Sequence, residues 1–397
     1  MVPGAFEDIN MKLSILNPGI LSIKWEFKND QKNKFFEVPA DFIPINRDDL
    51  MEGAMLIDFV TVGTRTDGSF FLTVKNELHN PIWQLEELIL QTHFNYINAT
   101  AFVDKDNFKG ILGLLDQPAD PSLFIPDGKY TLWNRKEQHA THPFWMAKSQ
   151  NSSWFGVFHN NIAAQDWVIK NDPDNGKVSV TTTYAGGVAD IFIFVGPKPD
   201  NITQLYQTVV GFPALIPDWA LGWHQSHLGY QNVDQMNVSV HYYSTSVLPL
   251  DAQWVDVDYM DNFTDFTVSP SFGNLSSFVN QTKSGGIYSV VKLNTGIAQK
   301  NTSDIYKQAY FNGSLLMDTY GMPLTGAGWA GDVVYLDQFN ETTSKLWPKW
   351  LEHLTSNKTS NSLNIDFDGI WLDDSEIHSD CNGQCYSDQK PMSDLKL

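Results

Sequence analysis

The feature that most narrows the fold of this chain is a change of rhythm near Asn201. Before it, short apolar runs alternate with polar residues and are separated by turns. Leu21, Ile23, Trp25 and Phe27 follow an Asn17-Pro18-Gly19 turn, and similar runs occupy residues 54–62, 69–74, 177–184 and 190–195. A period of two with no helix between the runs predicts an antiparallel β-sandwich over residues 1–205. From Asn201, placed as an N-cap, Ile202, Leu205, Tyr206, Val209 and Val210 fall at helical spacing. Beyond Pro217 strand and helix alternate. Residues 220–225, 252–259, 287–293 and 367–372 read as strands; between them Val233, Met236 and Val240, then Leu275, Phe278 and Val279, then Leu346, Trp347, Trp350, Leu351 and Leu354 mark helical faces. That order predicts a parallel sheet with crossover helices. Four such units are half of an eight-stranded barrel, so residues 206–397 are expected to form an incomplete barrel domain whose sheet cannot close.

Charge removes several functions. Across 397 residues, 26 Lys and Arg face 46 Asp and Glu, a net charge of -20. Such a surface repels phosphate backbones and excludes a nucleic-acid partner. The longest apolar run, residues 191–195, is far short of the ~18 residues a membrane span needs. Aromatic residues reach 13%, with 13 Trp, which suits either a β-rich core or flat rings stacked on sugar faces.

Asn-x-Ser/Thr sequons stand at Asn98, Asn151, Asn201, Asn237, Asn262, Asn274, Asn280, Asn301, Asn312, Asn340 and Asn357. This is about twice what chance supplies, and it points to the secretory pathway: lysosome, endoplasmic-reticulum lumen or the exterior. The start, Met1-Val2-Pro3-Gly4-Ala5, carries no signal peptide, so the expectation is a chain whose true N-terminus lies upstream. In an oxidising compartment the two cysteines, Cys381 and Cys385, are expected to pair in a local disulfide. With His378 they also suggest zinc, but a fourth ligand and the usual spacing are missing.

Two apolar strands end in carboxylates. Gln253-Trp254-Val255-Asp256-Val257-Asp258 closes the second, and Gly369-Ile370-Trp371-Leu372-Asp373-Asp374 closes the fourth. In a βα barrel the C-terminal strand ends carry the chemistry, whereas a single Asp at such a junction more often caps a helix. Two of them, each beside a Trp, favour a site. Asp256 and Asp258 could alternatively hold a divalent ion, as in a sugar-nucleotide transferase, although no further ligands accompany them.

These segments resemble glycoside hydrolase family 31, the family of α-glucosidases and their relatives. Gly211-x-Pro213 with residues 217–224 (PDWALGWH) is similar to the start of the family's barrel. Residues 254–261 (WVDVDYMD), followed by Asp265-Phe266-Thr267, resemble its second-strand signature, and residues 368–373 (DGIWLD) its nucleophile strand. His142-Pro143-Phe144, Gly156-Val157-Phe158 and Gly186-Gly187-x-x-Asp190 look like its N-terminal sandwich, which the resemblance implies is galactose mutarotase-like. The resemblance covers nearly the whole chain. It implies a retaining, exo-acting α-glucosidase that hydrolyses terminal α-linked glucose from an oligosaccharide or glycan and needs neither cofactor nor metal. Asp373 would be the nucleophile, with Glu376 steadying it. Asp256 would bind sugar hydroxyls, and Val257, Ile297, Trp329 (of Trp329-Ala330-Gly331) and Trp371 would line the same subsite.

The chain also departs from the family pattern. Asp374-Ser375 replaces Met-Asn after the nucleophile, adding a charge beside Asp373. Asn134-Arg135-Lys136 replaces Asn-Arg-Asp, His227 stands where Arg is common, and Asn294 replaces the Asp of a Leu-Asp-Pro run. The family's general acid, a substrate-binding Arg and a His come from later strands. The expectation is that Asp373 is the nucleophile of the intact enzyme and idle in these 397 residues. The rival reading is a carbohydrate-binding relative without catalysis.

Overall fold

The computed structural model describes residues 9–17, 19–27, 60–64, 70–75, 81–91, 96–104, 111–115, 125–132, 141–148, 154–172, 177–318, 320–355 and 363–373, with single positions 38, 43, 45, 66 and 79. The chain divides into two compact units, Met1–Ala214 and Leu215–Leu397.

The first unit is β-rich. In chain order its described strands are β1 (Ile9–Asn17), β2 (Ile20–Phe27), β3 (Val60–Thr64), β4 (Phe70–Lys75), β5 (Pro81–Gln91), β6 (Tyr96–Asp104) and β7 (Ile111–Leu115). They continue with β8 (Gly128–Leu132), β9 (Thr141–Lys148), β10 (Trp154–His159), β11 (Gln165–Asp172), β12 (Lys177–Tyr184) and β13 (Ala189–Gly196). Two antiparallel sheets result, ordered β1-β2-β13-β10-β9-β7 and β3-β4-β5-β6-β12-β11-β8. Leu21, Ile23, Trp145, Ile191 and Ile193 of the first meet Leu72, Leu85, Trp167, Val178 and Val180 of the second in one apolar core.

The run Ile191–Val195 has no polar alternation because both of its faces are covered. Ile191 and Ile193 point into the sandwich, while Phe192 and Phe194 join Phe144, Phe158 and Ile20 on the opposite face. There helix α1 (Pro199–Val210) lays down Ile202 and Val209, both fully buried. Gly156 makes that approach possible: a Cβ there would lie 2.5 Å from the Ile202 Cγ2 methyl and 3.1 Å from the Phe144 ring.

The second unit alternates strand and helix as expected. The series runs β14 (His224–Gln225), α2 (Val233–Thr245), β15 (Ala252–Val255), α3 (Leu275–Ser284) and β16 (Tyr288–Asn294), and ends, after an insertion, with α5 (Glu341–Thr355) and β20 (Gly369–Asp373). The insertion holds β17 (Gly296–Ala298), α4 (Asp304–Phe311), β18 (Thr325–Gly328) and β19 (Gly331–Tyr335). The main sheet is ordered β14-β15-β16-β20, every pair parallel. Met236, Leu275, Phe278, Val279, Leu346, Trp350 and Leu354 cover it from the helices, the faces marked by 3.6-residue spacing.

Two strands are shorter than read from the sequence. Residues 218–221 form a 3₁₀ turn after Pro217, and only His224 and Gln225 pair with β15. β15 stops at Val255 because the Asp256 carboxylate turns back to accept the Val257 N–H at 2.7 Å, opening a 3₁₀ turn over Val257–Tyr259. The small antiparallel sheet β17-β19-β18 was not anticipated.

Candidate active site

Parallel pairing fixes which side chains share the inner face of the main sheet. Lys292 is in register with Trp371, and Asn294 with Asp373. Below the strand ends lies an aromatic layer. The Trp254 indole N–H donates to His224 Nδ1 (3.0 Å), and the other nitrogen of that ring donates to the Trp219 carbonyl (3.0 Å). The Trp254 and Trp371 rings meet at 5.2 Å.

Above this layer the two strand-end carboxylates converge on one ammonium. Lys292 Nζ lies 2.6 Å from Asp373 Oδ2 and 3.3 Å from Asp256 Oδ1. The lysine side chain is 5% exposed, that of Asp256 7%, and that of Asp373 32%. Two aromatic faces complete the surroundings of the cation, with the Trp371 centroid 4.5 Å and the Trp329 centroid 5.6 Å from Nζ. Trp329 sits in the turn between β18 and β19, so the insertion supplies part of the site. A buried ammonium needs such partners, because losing hydration without them costs several kcal/mol.

Of the residues expected to form the site, Asp373, Asp256, Trp371 and Trp329 are brought together. Val257 and Ile297 are buried, at 0% and 2% exposure, and present no open surface. Glu376 lies outside the described residues, as do Asp374, Ser375, Lys136, His378, Cys381 and Cys385. Asp258 does not join Asp256 on a shared ion: its Oδ2 accepts the Gly229 N–H at 2.8 Å. Among the described residues no cluster of His, Cys, Asp and Glu could hold a metal.

Lys292 was missed in the sequence, and Asp265 was read only as part of a motif, with no role of its own. The Asp265 carboxylate is fully buried and accepts the Asn294 backbone N–H at 2.7 Å. Burial pushes it up to about 7, although hydrogen bonds from Asn294 and the Lys292 charge pull the other way. It therefore carries a proton across much of the acidic range.

Parallel strands delivering carboxylates and Trp faces at their C-terminal ends describe the functional end of a βα barrel domain. Residues 213–396 match the family model described as Glycosyl hydrolases family 31 TIM-barrel domain. Probable maltase-glucoamylase 2 of Homo sapiens is 31% identical over 270 residues, covering 61% of this chain and 10% of that protein. Lysosomal alpha-glucosidase of Bos taurus is 30% identical over 277 residues, covering 67% of this chain and 28% of the relative. The solved structure of a glucosidase II alpha subunit with alpha3-Glc2 bound aligns with a TM-score of 0.75 at 15% identity, over 92% of this chain and 47% of that one, and speaks for the fold alone. The barrel segment, residues 213–396, is that of glycoside hydrolase family 31. The chain spans less than half the length of each of these three proteins. Among the described residues no helix is long and apolar enough to cross a membrane.

Proposed function

We propose that the protein carrying this chain is a retaining, exo-acting α-glucosidase that releases terminal α-linked glucose from oligosaccharides or glycans. The observation that carries this reading is the convergence of Asp373 and Asp256 on one face, between Trp329 and Trp371. Asp373 is the nucleophile. An oxygen lone pair bonds to the anomeric carbon as the glycosidic C–O bond breaks, and the leaving oxygen takes a proton from a general acid. Water then hydrolyses the glycosyl ester, with the same acid acting as base. Asp256 accepts hydrogen bonds from sugar hydroxyls, and the two indoles offer faces to the ring. Glu376 steadies the nucleophile.

The reading assigns the general acid to no residue of this chain, and it needs no cofactor. The second unit is then the first half of a (β/α)₈ barrel and the first unit a galactose mutarotase-like sandwich. Taken alone, the 397 residues are idle, since acid assistance is worth ~10²–10⁴-fold. The names of the relatives and the eleven sequons support a place in the secretory pathway.

One observation favours the rival reading, a carbohydrate-binding relative without hydrolysis: the nucleophile candidate is ion-paired to a buried lysine. Turnover of a chromogenic α-glucoside by the natural full-length protein separates the two. Activity that falls at least about a thousandfold in Asp373→Asn supports the enzyme. Glucose binding without turnover supports the rival.

A further inference from the structure

The carboxylates at the strand ends are not an open anionic pair, because the fold has placed a cation of its own between them. Lys292 is the one charged residue of β16, between buried Val291 and Leu293, and its ammonium is wedged against Asp373, Asp256 and the rings of Trp371 and Trp329. We propose that Lys292 is a positioning and specificity-determining residue, which anchors Asp373 by one oxygen and holds down the site's preference for a basic sugar mimic over a neutral sugar. This inference rests on the sugar-site reading above.

Two carboxylates without a counter-ion form a site that favours an ammonium, and a protonated ring nitrogen would be held by both. Here that role is filled internally. Asp256, Asp373 and Lys292 together carry one net negative charge instead of two, and any second cation in the pocket lies within a few ångströms of the first. At that range like charges repel strongly in a partly buried setting. The bond to Lys292 occupies Asp373 Oδ2 and fixes the carboxylate plane, which leaves Oδ1 as the oxygen that reacts. Lysine is suited to this because its compact ammonium has three donors.

The test compares two glucose-shaped ligands, 1-deoxynojirimycin, which is protonated at mildly acidic pH, and neutral D-gluconolactam. Both are titrated calorimetrically into the natural full-length protein and its Lys292→Met and Lys292→Arg variants. The unaltered protein is expected to prefer the basic ligand by less than about tenfold. Lys292→Met shifts the ratio toward the basic ligand by at least tenfold, and Lys292→Arg restores the original ratio, a recovery that a purely structural role does not produce. A wild-type preference for the basic ligand above tenfold, or an unshifted ratio in a folded Lys292→Met, overturns the inference while leaving the sugar site standing. If Lys292→Met does not fold, the wild-type ratio decides. A wild-type protein that binds neither ligand overturns the sugar-site reading and the inference with it.

Discussion

Replacing Asp265 by Asn should stabilise the barrel unit at neutral and alkaline pH and leave it nearly unchanged in acid. The carboxyl's ordinary value is 3.8, and burial raises it to about 7 in the fold. Between those values the unfolded chain has released the proton while the native state holds it. Raising the pH through this window therefore favours unfolding. Three units at 1.36 kcal/mol each amount to roughly 4 kcal/mol lost between about pH 4 and pH 8. Asparagine removes this loss and keeps the contacts. Its amide oxygen can still accept the Asn294 backbone N–H and the Asn294 side-chain N–H that both point at Oδ1. Urea unfolding followed by tryptophan fluorescence at several pH values reads the difference directly. We expect Asp265→Asn to gain about 3–4 kcal/mol over the parent at pH 8 and less than about 1 kcal/mol at pH 4. Parallel stability curves for the two proteins, or a variant weaker at pH 8, would refute the reasoning.

The N-terminal unit should show the opposite slope. Buried His159, against the Trp167 ring and hydrogen-bonded to the Tyr184 hydroxyl, is pushed down to about 3 from 6.5 by loss of hydration. It is neutral in the fold, so stability is full above pH 6.5 and declines as pH falls toward 3, and His159→Gln should flatten that decline in acid titrations followed by near-ultraviolet circular dichroism. Gly156→Ala drives a methyl into Ile202 and Phe144, and should cost about 1–3 kcal/mol in thermal unfolding; an unchanged midpoint would mean that α1 does not pack as described.

Much of the fold was legible because burial leaves periodic marks. Val233 and Met236 on α2, Leu275, Phe278 and Val279 on α3, and Leu346, Trp350 and Leu354 on α5 are spaced for one helical face, and each is buried. The alternation of Leu21, Ile23 and Trp25 likewise gave β2 its core side. The sheet β17-β19-β18 left no such mark, since its strands are three to five residues long and β18 has Gly at 326 and 328. Asp256 and Asp373 could be read because an acid after an apolar strand is conspicuous. Lys292 could not, because its meaning depends on register. Only when β16 is set beside β20 does a lone lysine among valines and leucines fall between two carboxylates. The role of Asp265 escaped for a related reason: its hydrogen-bond partner, Asn294, is distant in sequence.

The central claim is that Asp373 attacks the anomeric carbon, and the most direct measurement traps that bond. The natural full-length protein is incubated with 5-fluoro-α-D-glucosyl fluoride, digested, and its peptides are sequenced by mass spectrometry. The account predicts a single glycosyl adduct on the side chain of Asp373, absent from Asp373→Asn. A label on any other carboxylate, or steady turnover that survives Asp373→Asn, would contradict it.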